Sequence, residues 1–361
     1  MHTQSNFRLL VVRLGAMGDI LHALPAVTAL RQAHPDWVVD WVVEPRWRAL
    51  LAVEGAIGRG PAQPLVDHLH FARTKEWRKT PLSRKTLNEI RALRVALRAG
   101  EYDAVIDLQG AIRSAVVARM AGCKRLVGEA SPREIPARWL FTERVSTQGV
   151  HVIEQDVELA SAIAGDKLAP AKPWLPVDPV AEAWAAQVLP SNTGARGGNQ
   201  PSVLINPGAG WGAKCWPVQR YDAVAQGLID LGFRILVNAG PGEEKMAEVI
   251  ARGTGGAAIP LNCTLAQLIA ITRRVALVVA GDTGPLHLAC ALGRPVIGIY
   301  GPTDPSRNGP FGTKFRVLRS PMSRSDHSRR ELPEAGLLNI QPDDVLRAAD
   351  ALLYPETTPE S

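Results

Sequence analysis

The sequence predicts two Rossmann-like, doubly wound α/β domains, and three observations predict it. Apolar, β-branched runs such as Phe7–Leu14 (FRLLVVRL) and Ser202–Asn206 (SVLIN) read as strands buried on both faces of a parallel sheet. Stretches of helical spacing alternate with them, which is the grammar of βαβ units. A chain of 361 residues exceeds one ordinary core, and that grammar runs twice, on either side of a proline-rich stretch. Two such domains are expected to leave a central cleft between the carboxyl ends of their sheets.

In order, the first strand is followed by Gly15-Ala-Met-Gly18-Asp19 and a helix from about Ile20 to Ala33. Trp37–Val43 and Leu65–Phe71 read as further strands, Thr86–Ala99 as a helix, and Ala104–Leu108 (AVIDL) as the next strand. Between Gly165 and Pro201 the texture changes, with Pro170, Pro173, Pro176, Pro179 and Pro190 and then SNTGARGGNQP. Only Val180–Val188 reads as helix there, so this is the expected linker. The second half repeats the pattern. Helix Val218–Leu231, strand Phe233–Asn238, a helix from GPGEE to Arg252 and another over Thr264–Arg273 follow strand Ser202–Asn206. Strand Val275–Ala280, the turn Gly281–His287 (GDTGPLH) and strand Pro295–Tyr300 come next. Gln341–Leu353 is a final helix, and from Glu356 the tail is expected to fray. The expected boundaries are therefore 1–170, a linker at 171–201, 202–340, and a C-terminal helix and tail at 341–361.

Composition excludes several classes. Hydrophobic residues make up 46% and the mean hydropathy is near zero, as in a soluble globular protein. Charged Arg8, Arg13 and Asp19 interrupt any leader-like apolar region, and no run of about 18 apolar residues reads as a membrane span. Four cysteines, at 123, 215, 263 and 290, show no CxxC spacing. That favours a reducing, cytoplasmic setting and argues against structural zinc. A net charge of +6 permits an anionic substrate or a membrane surface. With 5% aromatics not interleaved with basic runs, nucleic acid is not indicated.

The residues that can carry chemistry sit where strands end. GDTGPLH joins a strand to a helix, so Asp282, Thr283 and Gly284 offer backbone N–H groups and a helix dipole to an anion, phosphate above all. An ordinary capped turn is the other reading. His287 lies four residues after Thr283 and either faces the same spot or packs as a buried histidine. Asn206–Pro217 (NPGAGWGAKCWP) is the second-lobe loop that corresponds to Gly15–Asp19 of the first. Its glycines, Gly210 among them, and Lys214 suit phosphate oxygens, although the spacing is not that of a P-loop. Glu243 and Glu244 begin the next helix and either complement its dipole or accept hydrogen bonds from a ribose.

In the first half Gly18 lets another molecule approach the backbone. Asp19 is either a carboxylate favoured by the helix dipole or a general base. His22, one turn on, orients it or packs. The third glycine of a dinucleotide fingerprint is missing, which weakens a nicotinamide reading. Arg73, Lys75, Arg78, Lys79, Arg84 and Lys85, with Trp77 among them, form a basic loop that is either a solvated face or a wall for an anionic acceptor. Asp107, Gln109 and Arg113 end the AVIDLQ strand and are candidates to line the cleft. No Asp-x-Asp pair suited to a diphosphate-bound cation occurs, so no metal or cofactor is expected.

These blocks together resemble the family 9 glycosyltransferases, the bacterial lipopolysaccharide heptosyltransferases. The resemblance spans nearly the whole chain through LGAMGDILHALPAV, DLQGAIRSA, NPGAGWGAKCWP and, most specifically, GDTGPLHLACALGRPVIGIYGPTDP. FARTKEWRK and DWVVEPRW are most similar to the heptosyltransferase I branch. The resemblance implies a metal-independent GT-B enzyme with an acceptor-binding first domain and a nucleotide-sugar-binding second domain. It implies transfer of L-glycero-D-manno-heptose from ADP-heptose to the Kdo of a lipid A acceptor, an anionic glycolipid, with the enzyme peripheral on the inner face of the inner membrane.

Residue by residue, the family's catalytic aspartate falls on Asp19, its phosphate-binding lysine on Lys214, and its Asp-Thr-Gly-x-x-His turn on Asp282, Thr283, Gly284 and His287. A ribose-contacting glutamate falls on Glu243 or Glu244. The chain departs from heptosyltransferase I at Ala209 and Gly210, where that branch carries hydroxyl residues. The implied reaction is a single inverting displacement, with Asp19 as base and Lys214 with the GDTG amides on the leaving diphosphate. A sibling transferase with another acceptor or sugar, and a nucleotide-binding module without chemistry, are the rival readings.

Overall fold

The structure, a computed structural model, describes residues 6–190, 200–326 and 330–354. Most of SNTGARGGNQP and the tail from Glu356 lie outside the described residues. The chain divides into two compact units, residues 1–177 and 178–361. Residues 171–177 of the proline-rich stretch thus belong to the first unit and its helix to the second.

The first unit holds strands β1 (Arg8–Val12), β2 (Val38–Val43), β3 (His68–Phe71), β4 (Ala104–Asp107), β5 (Leu126–Glu129) and β6 (Glu143–Val145). All pair in parallel, in the order β3-β2-β1-β4-β5-β6. Its helices are α1 (Met17–Ala33), α2 (Thr74–Lys79), α3 (Arg84–Ala99), α4 (Ile112–Met120) and α5 (Val152–Ala164). Leu9 to Val12 are fully buried because helices cover both faces of the sheet, which is why β1 is a continuous apolar run instead of an alternating one. Leu10, Val12, Val105, Leu93 and Leu97 form part of the core on one face. On the other side α1 packs along α5. The start of α5 is fixed locally: His151 Nδ1 accepts the Ile153 N–H at 3.2 Å, and Glu154 returns a carboxylate to the His151 N–H at 3.0 Å.

The basic stretch read as a loop is not one. Thr74–Lys79 forms α2 and Arg84 opens α3 behind an N-cap in which Ser83 Oγ accepts the Thr86 N–H at 3.1 Å. Trp77 is the reason: its buried indole donates to Glu89 Oε2 at 2.8 Å and pins the short helix onto α3.

The second unit repeats the plan with β7 (Ser202–Asn206), β8 (Arg234–Asn238), β9 (Ile259–Leu261), β10 (Leu277–Gly281), β11 (Val296–Tyr300) and β12 (Phe315–Arg319). They too are parallel, in the order β12-β11-β10-β7-β8-β9. Around them lie α6 (Pro179–Val188), α7 (Val218–Asp230), α8 (Glu244–Gly253), α9 (Leu265–Thr272), α10 (Gly284–Ala291), α11 (Pro305–Asn308) and α12 (Pro342–Leu353). Val203, Ile205, Val237, Val279 and Ile299 meet Val224, Leu228 and Val345 in the core.

Counted within its own unit, each sheet has the strand order 3-2-1-4-5-6. The first and fourth strands, β1 with β4 and β7 with β10, are neighbours whose following connections leave in opposite directions. Such a switch point opens a crevice at the carboxyl ends of the two strands, where doubly wound folds take their ligands.

Candidate active site

At the first unit's switch point, Arg13 to Ala16 carry the chain from β1 into α1. Gly15 has φ +152°, and a Cβ there would stand 2.6 Å from the Trp47 indole nitrogen, so only glycine fits. Gly18 and Asp19 lie in the first turn of α1. Asp19 Oδ2 accepts the Ala16 N–H at 3.0 Å, while Oδ1 stays 3.7 Å from Arg13 Nη2. The bond to the backbone fixes the carboxylate and leaves Oδ1 as the oxygen available for a proton. The Asp19 side chain is 36% exposed and that of Arg13 only 7%, so of the pair Asp19 is the one open to solvent.

The end of β4 supplies the other wall. Gln109 Oε1 accepts the Leu14 N–H at 2.8 Å, stitching the two strand ends together. Asp107 Oδ1 accepts the Gln109 and Gly110 N–H groups at 2.8 and 2.9 Å and the Ser114 hydroxyl at 3.1 Å. Burial nevertheless pushes the Asp107 carboxyl up to about 6, outweighing those bonds and Arg13. Asp156, on α5, is buried, and burial pushes it up to about 7; Arg13 pulls it down, while Asp19, Glu129 and Asp107 add to the rise. Arg13 Nε, Asp107 Oδ2, Gln109 Nε2 and Asp156 Oδ2 are buried with no hydrogen-bond partner among the described residues. Native interiors carry a few such atoms per hundred residues, and these gather around Arg13, whose charge acts on both Asp107 and Asp156.

The remaining acceptor-side residues are placed as follows. His22 is buried on α1 with its ring edge-on to His151 at 5.7 Å. Arg73, Lys75, Arg78 and Lys79 are exposed on and beside α2, after the edge strand β3, two strands from β1. Thr74 ties α2 to the end of β2 by donating to Glu44 Oε1 at 2.8 Å. Arg113 is exposed in the first turn of α4.

At the second unit's switch point the loop after β7 meets the turn after β10. The Lys214 ammonium pairs with the Asp282 carboxylate, lies 3.4 Å from the Asp282 carbonyl and rests 4.3 Å from the centre of the Trp211 ring. His287 Nε2 holds the other Asp282 oxygen at 3.2 Å. Burial alone would raise the Asp282 carboxyl, but His287 and Lys214 together hold it far below the usual carboxylate range. An ammonium has three donors, so even with the carboxylate and carbonyl of Asp282 engaged one N–H remains for a ligand oxygen.

The amides of this turn are fewer than its sequence promises. The Leu286 and His287 N–H groups go to the Thr283 carbonyl at 3.1 and 3.4 Å, and Pro285 has none. The contribution of the turn narrows to Thr283 and Gly284. Glu243 and Glu244 also separate. Glu243 caps α8 and folds its carboxylate over the β7 loop, where a Cβ on Gly208 would meet Oε2 at 1.8 Å. Glu244 is exposed, and its carboxylate accepts the Gly242 N–H at 2.9 Å. Gly210 is exposed, with nothing within 4 Å of where its Cβ would be.

Reading the sequence missed Arg13, Glu44, Trp47, Asp156 and Thr303, whose buried hydroxyl after β11 has no partner among the described residues. Arg13 carried a signal, a charge breaking the apolar end of FRLLVVRL.

Chemically, the first crevice offers an accessible carboxylate among underpaired polar groups, and the second a lysine held by a buried aspartate. The profile of Glycosyltransferase family 9 (heptosyltransferase) matches residues 90–337. The chain belongs to glycosyltransferase family 9. This transferase is 34% identical over 325 residues to lipopolysaccharide heptosyltransferase 1 of Escherichia coli (strain K12), covering 87% of this chain and 94% of that protein. Its fold matches the solved E. coli heptosyltransferase WaaC with ADP at a TM-score of 0.77 and 28% identity, over 96% of this chain and 100% of that one. It matches the same enzyme with ADP-2-deoxy-2-fluoro heptose at 0.73 and 29%, over 95% and 99%. The two parallel six-stranded sheets with their flanking helices are the GT-B architecture of those structures.

Proposed function

We propose that this family 9 transferase moves L-glycero-D-manno-heptose from ADP-heptose to the Kdo of a lipid A acceptor, in lipopolysaccharide inner-core assembly. The observation that carries the reading is the pairing of Asp282 with both Lys214 and His287 at the switch point of the second unit. A diphosphate needs a lysine held in a fixed place, and Asp282 holds this one against Trp211. Similarity to lipopolysaccharide heptosyltransferase 1, and to a structure solved with ADP, supports the nucleotide and the sugar.

In this reading Asp19 Oδ1 takes the proton of the acceptor hydroxyl as that oxygen attacks the anomeric carbon. The bond from that carbon to the phosphate oxygen breaks on the opposite face, giving inversion, and the electron pair leaves with ADP. Lys214 and the Thr283 and Gly284 amides meet the charge that grows on the diphosphate. Glu243, folded over the nucleotide loop, is the ribose acceptor; Glu244 is not. The enzyme works as a peripheral protein on the cytoplasmic side of the inner membrane.

The test is incubation with ADP-heptose or UDP-sugars, with and without Kdo-lipid A, and identification of products by mass. One heptose added to Kdo-lipid A from ADP-heptose is the expected result. Product formed only on an already heptosylated acceptor would assign a sibling reaction of the family. ADP binding without any product would leave a binding protein.

A further inference from the structure

The first unit carries an exposed face that its core and ion pairs leave uncovered. On α4, Ile112 and Val116 stand one turn apart and point outward, 43% and 44% exposed. Beside them, a tight helical turn over Ile135–Leu140 presents Ile135 at 49% and Trp139 at 64%. The two pieces form one surface. They pack on each other, the Ile112 N–H donates to Glu134 Oε2 at 2.8 Å, and the Glu134 N–H donates to the Gly110 carbonyl at 2.8 Å.

Arginines surround this apolar set. Arg113 and Arg119 are exposed on α4, Arg133 precedes the turn, and the Arg138 guanidinium lies 5.9 Å from the Trp139 ring centre. Glu134 is the single acid in these two segments, and its carboxylate is already taken by the backbone of α4. An exposed apolar patch with a basic border and a tryptophan at its crest has the make-up of a surface that lies in a bilayer interface. Apolar side chains enter the acyl boundary and arginines take phosphate oxygens in pairs. A second copy of the chain fits poorly, because face-to-face contact would bring like charges together. No helix among the described residues is long and apolar enough to cross a membrane.

We propose that the face built by α4 and the Ile135–Leu140 turn docks this enzyme on an anionic lipid bilayer. For the acceptor's location the proposal rests on the transfer reading above. It adds where the bilayer lies. The face begins at Ile112, three residues after Gln109, so headgroups set against it would stand near the carboxyl end of β4.

The experiment is co-sedimentation with vesicles of phosphatidylcholine alone or mixed with phosphatidylglycerol, without any glycolipid. The protein should pellet with the anionic vesicles only, and less so as salt rises. An arginine near an anionic surface is worth about fivefold in partitioning, so Arg119→Ala with Arg133→Ala should weaken binding about 25-fold. Ile135→Ser with Trp139→Ser should also release the protein, with an unchanged melting temperature showing that it still folds. A wild-type protein that stays in the supernatant, or variants that pellet as wild type does, would overturn the proposal. So would a wild-type dimer that the serine variant converts to monomer, which assigns the face to a second copy. Because these vesicles hold no acceptor, lost binding counts against docking alone, and lost transfer with binding retained counts against the transfer reading alone.

Discussion

The two switch points share one topology and differ in electrostatics. In the first unit the buried groups are underpaired: among the described residues Asp156 Oδ2, Arg13 Nε and Gln109 Nε2 have no hydrogen-bond partner, and burial raises the Asp107 and Asp156 carboxyls. In the second unit the central carboxylate is oversupplied, with Lys214 on one oxygen of Asp282 and His287 on the other. One crevice keeps buried polar atoms without a protein partner among the described residues. The other holds its carboxylate between two cationic or hydrogen-bonding side chains. The repeat supplies the scaffold twice, and side-chain pairing decides what each copy does.

Breaking the first half should have the largest effect. Asp19→Asn keeps the shape of the side chain and removes the base, so turnover should fall by about 10²–10⁴. Steady-state kinetics with saturating donor measures it, and near-normal turnover would move the base elsewhere.

Next in size is Asp282→Ala, which leaves Lys214 half of a buried pair. Loss of one partner in such a pair costs about 3–5 kcal/mol, read in denaturant unfolding at pH 7. The sign with pH follows from the depressed carboxyl: the pair's stabilisation is present above about pH 4, where the unfolded aspartate ionises, and is lost as pH falls below it.

Asp156 should behave in the opposite sense. Its carboxyl titrates near 7 in the fold and near 4 unfolded, so the native state binds the extra proton between those values. Its ionisation destabilises the fold progressively from about pH 4 to pH 7. Asp156→Asn should therefore stabilise the protein at pH 8, on the order of a few kcal/mol, and make little difference at pH 4. Thermal melts at the two pH values decide it, and equal shifts at both would contradict the buried, ionising carboxyl.

The smallest expected effect separates the two glutamates. Glu243→Gln should weaken ADP binding by roughly tenfold through a lost charged hydrogen bond, and Glu244→Gln should leave it unchanged. The reverse order would exchange their roles.

Much of this was legible in the sequence, for definite reasons. Central strands must be apolar on both faces, so β1, β7, β8, β10 and β11 announced themselves. Edge strands need not be, and β6 (ERV), β9 (IPL) and β12 (FRVLR) were too short or too polar to stand out. The places of Lys214, Asp282 and His287 at strand ends were legible because glycine-rich turns after buried apolar runs stand out, and the structure brings the three into contact. Asp156 was not: a lone aspartate in a sequence reads as a solvated residue, and only the packing of α5 onto the sheet and α1 buries it. The basic segment around Trp77 read as a loop because six residues are too few for periodicity to show. The distinction between Glu243 and Glu244 depends on how α8 is capped, which adjacent identical residues cannot reveal.

The division of labour between the two switch points is the central claim, and calorimetric titration with ADP tests it most directly. Asp19→Asn should bind ADP as the wild type does although it no longer turns over. Lys214→Ala should bind ADP about a hundredfold more weakly, the loss of one charge-stabilising contact of about 3 kcal/mol. Weakened ADP binding in Asp19→Asn, or unchanged binding in Lys214→Ala, would contradict it.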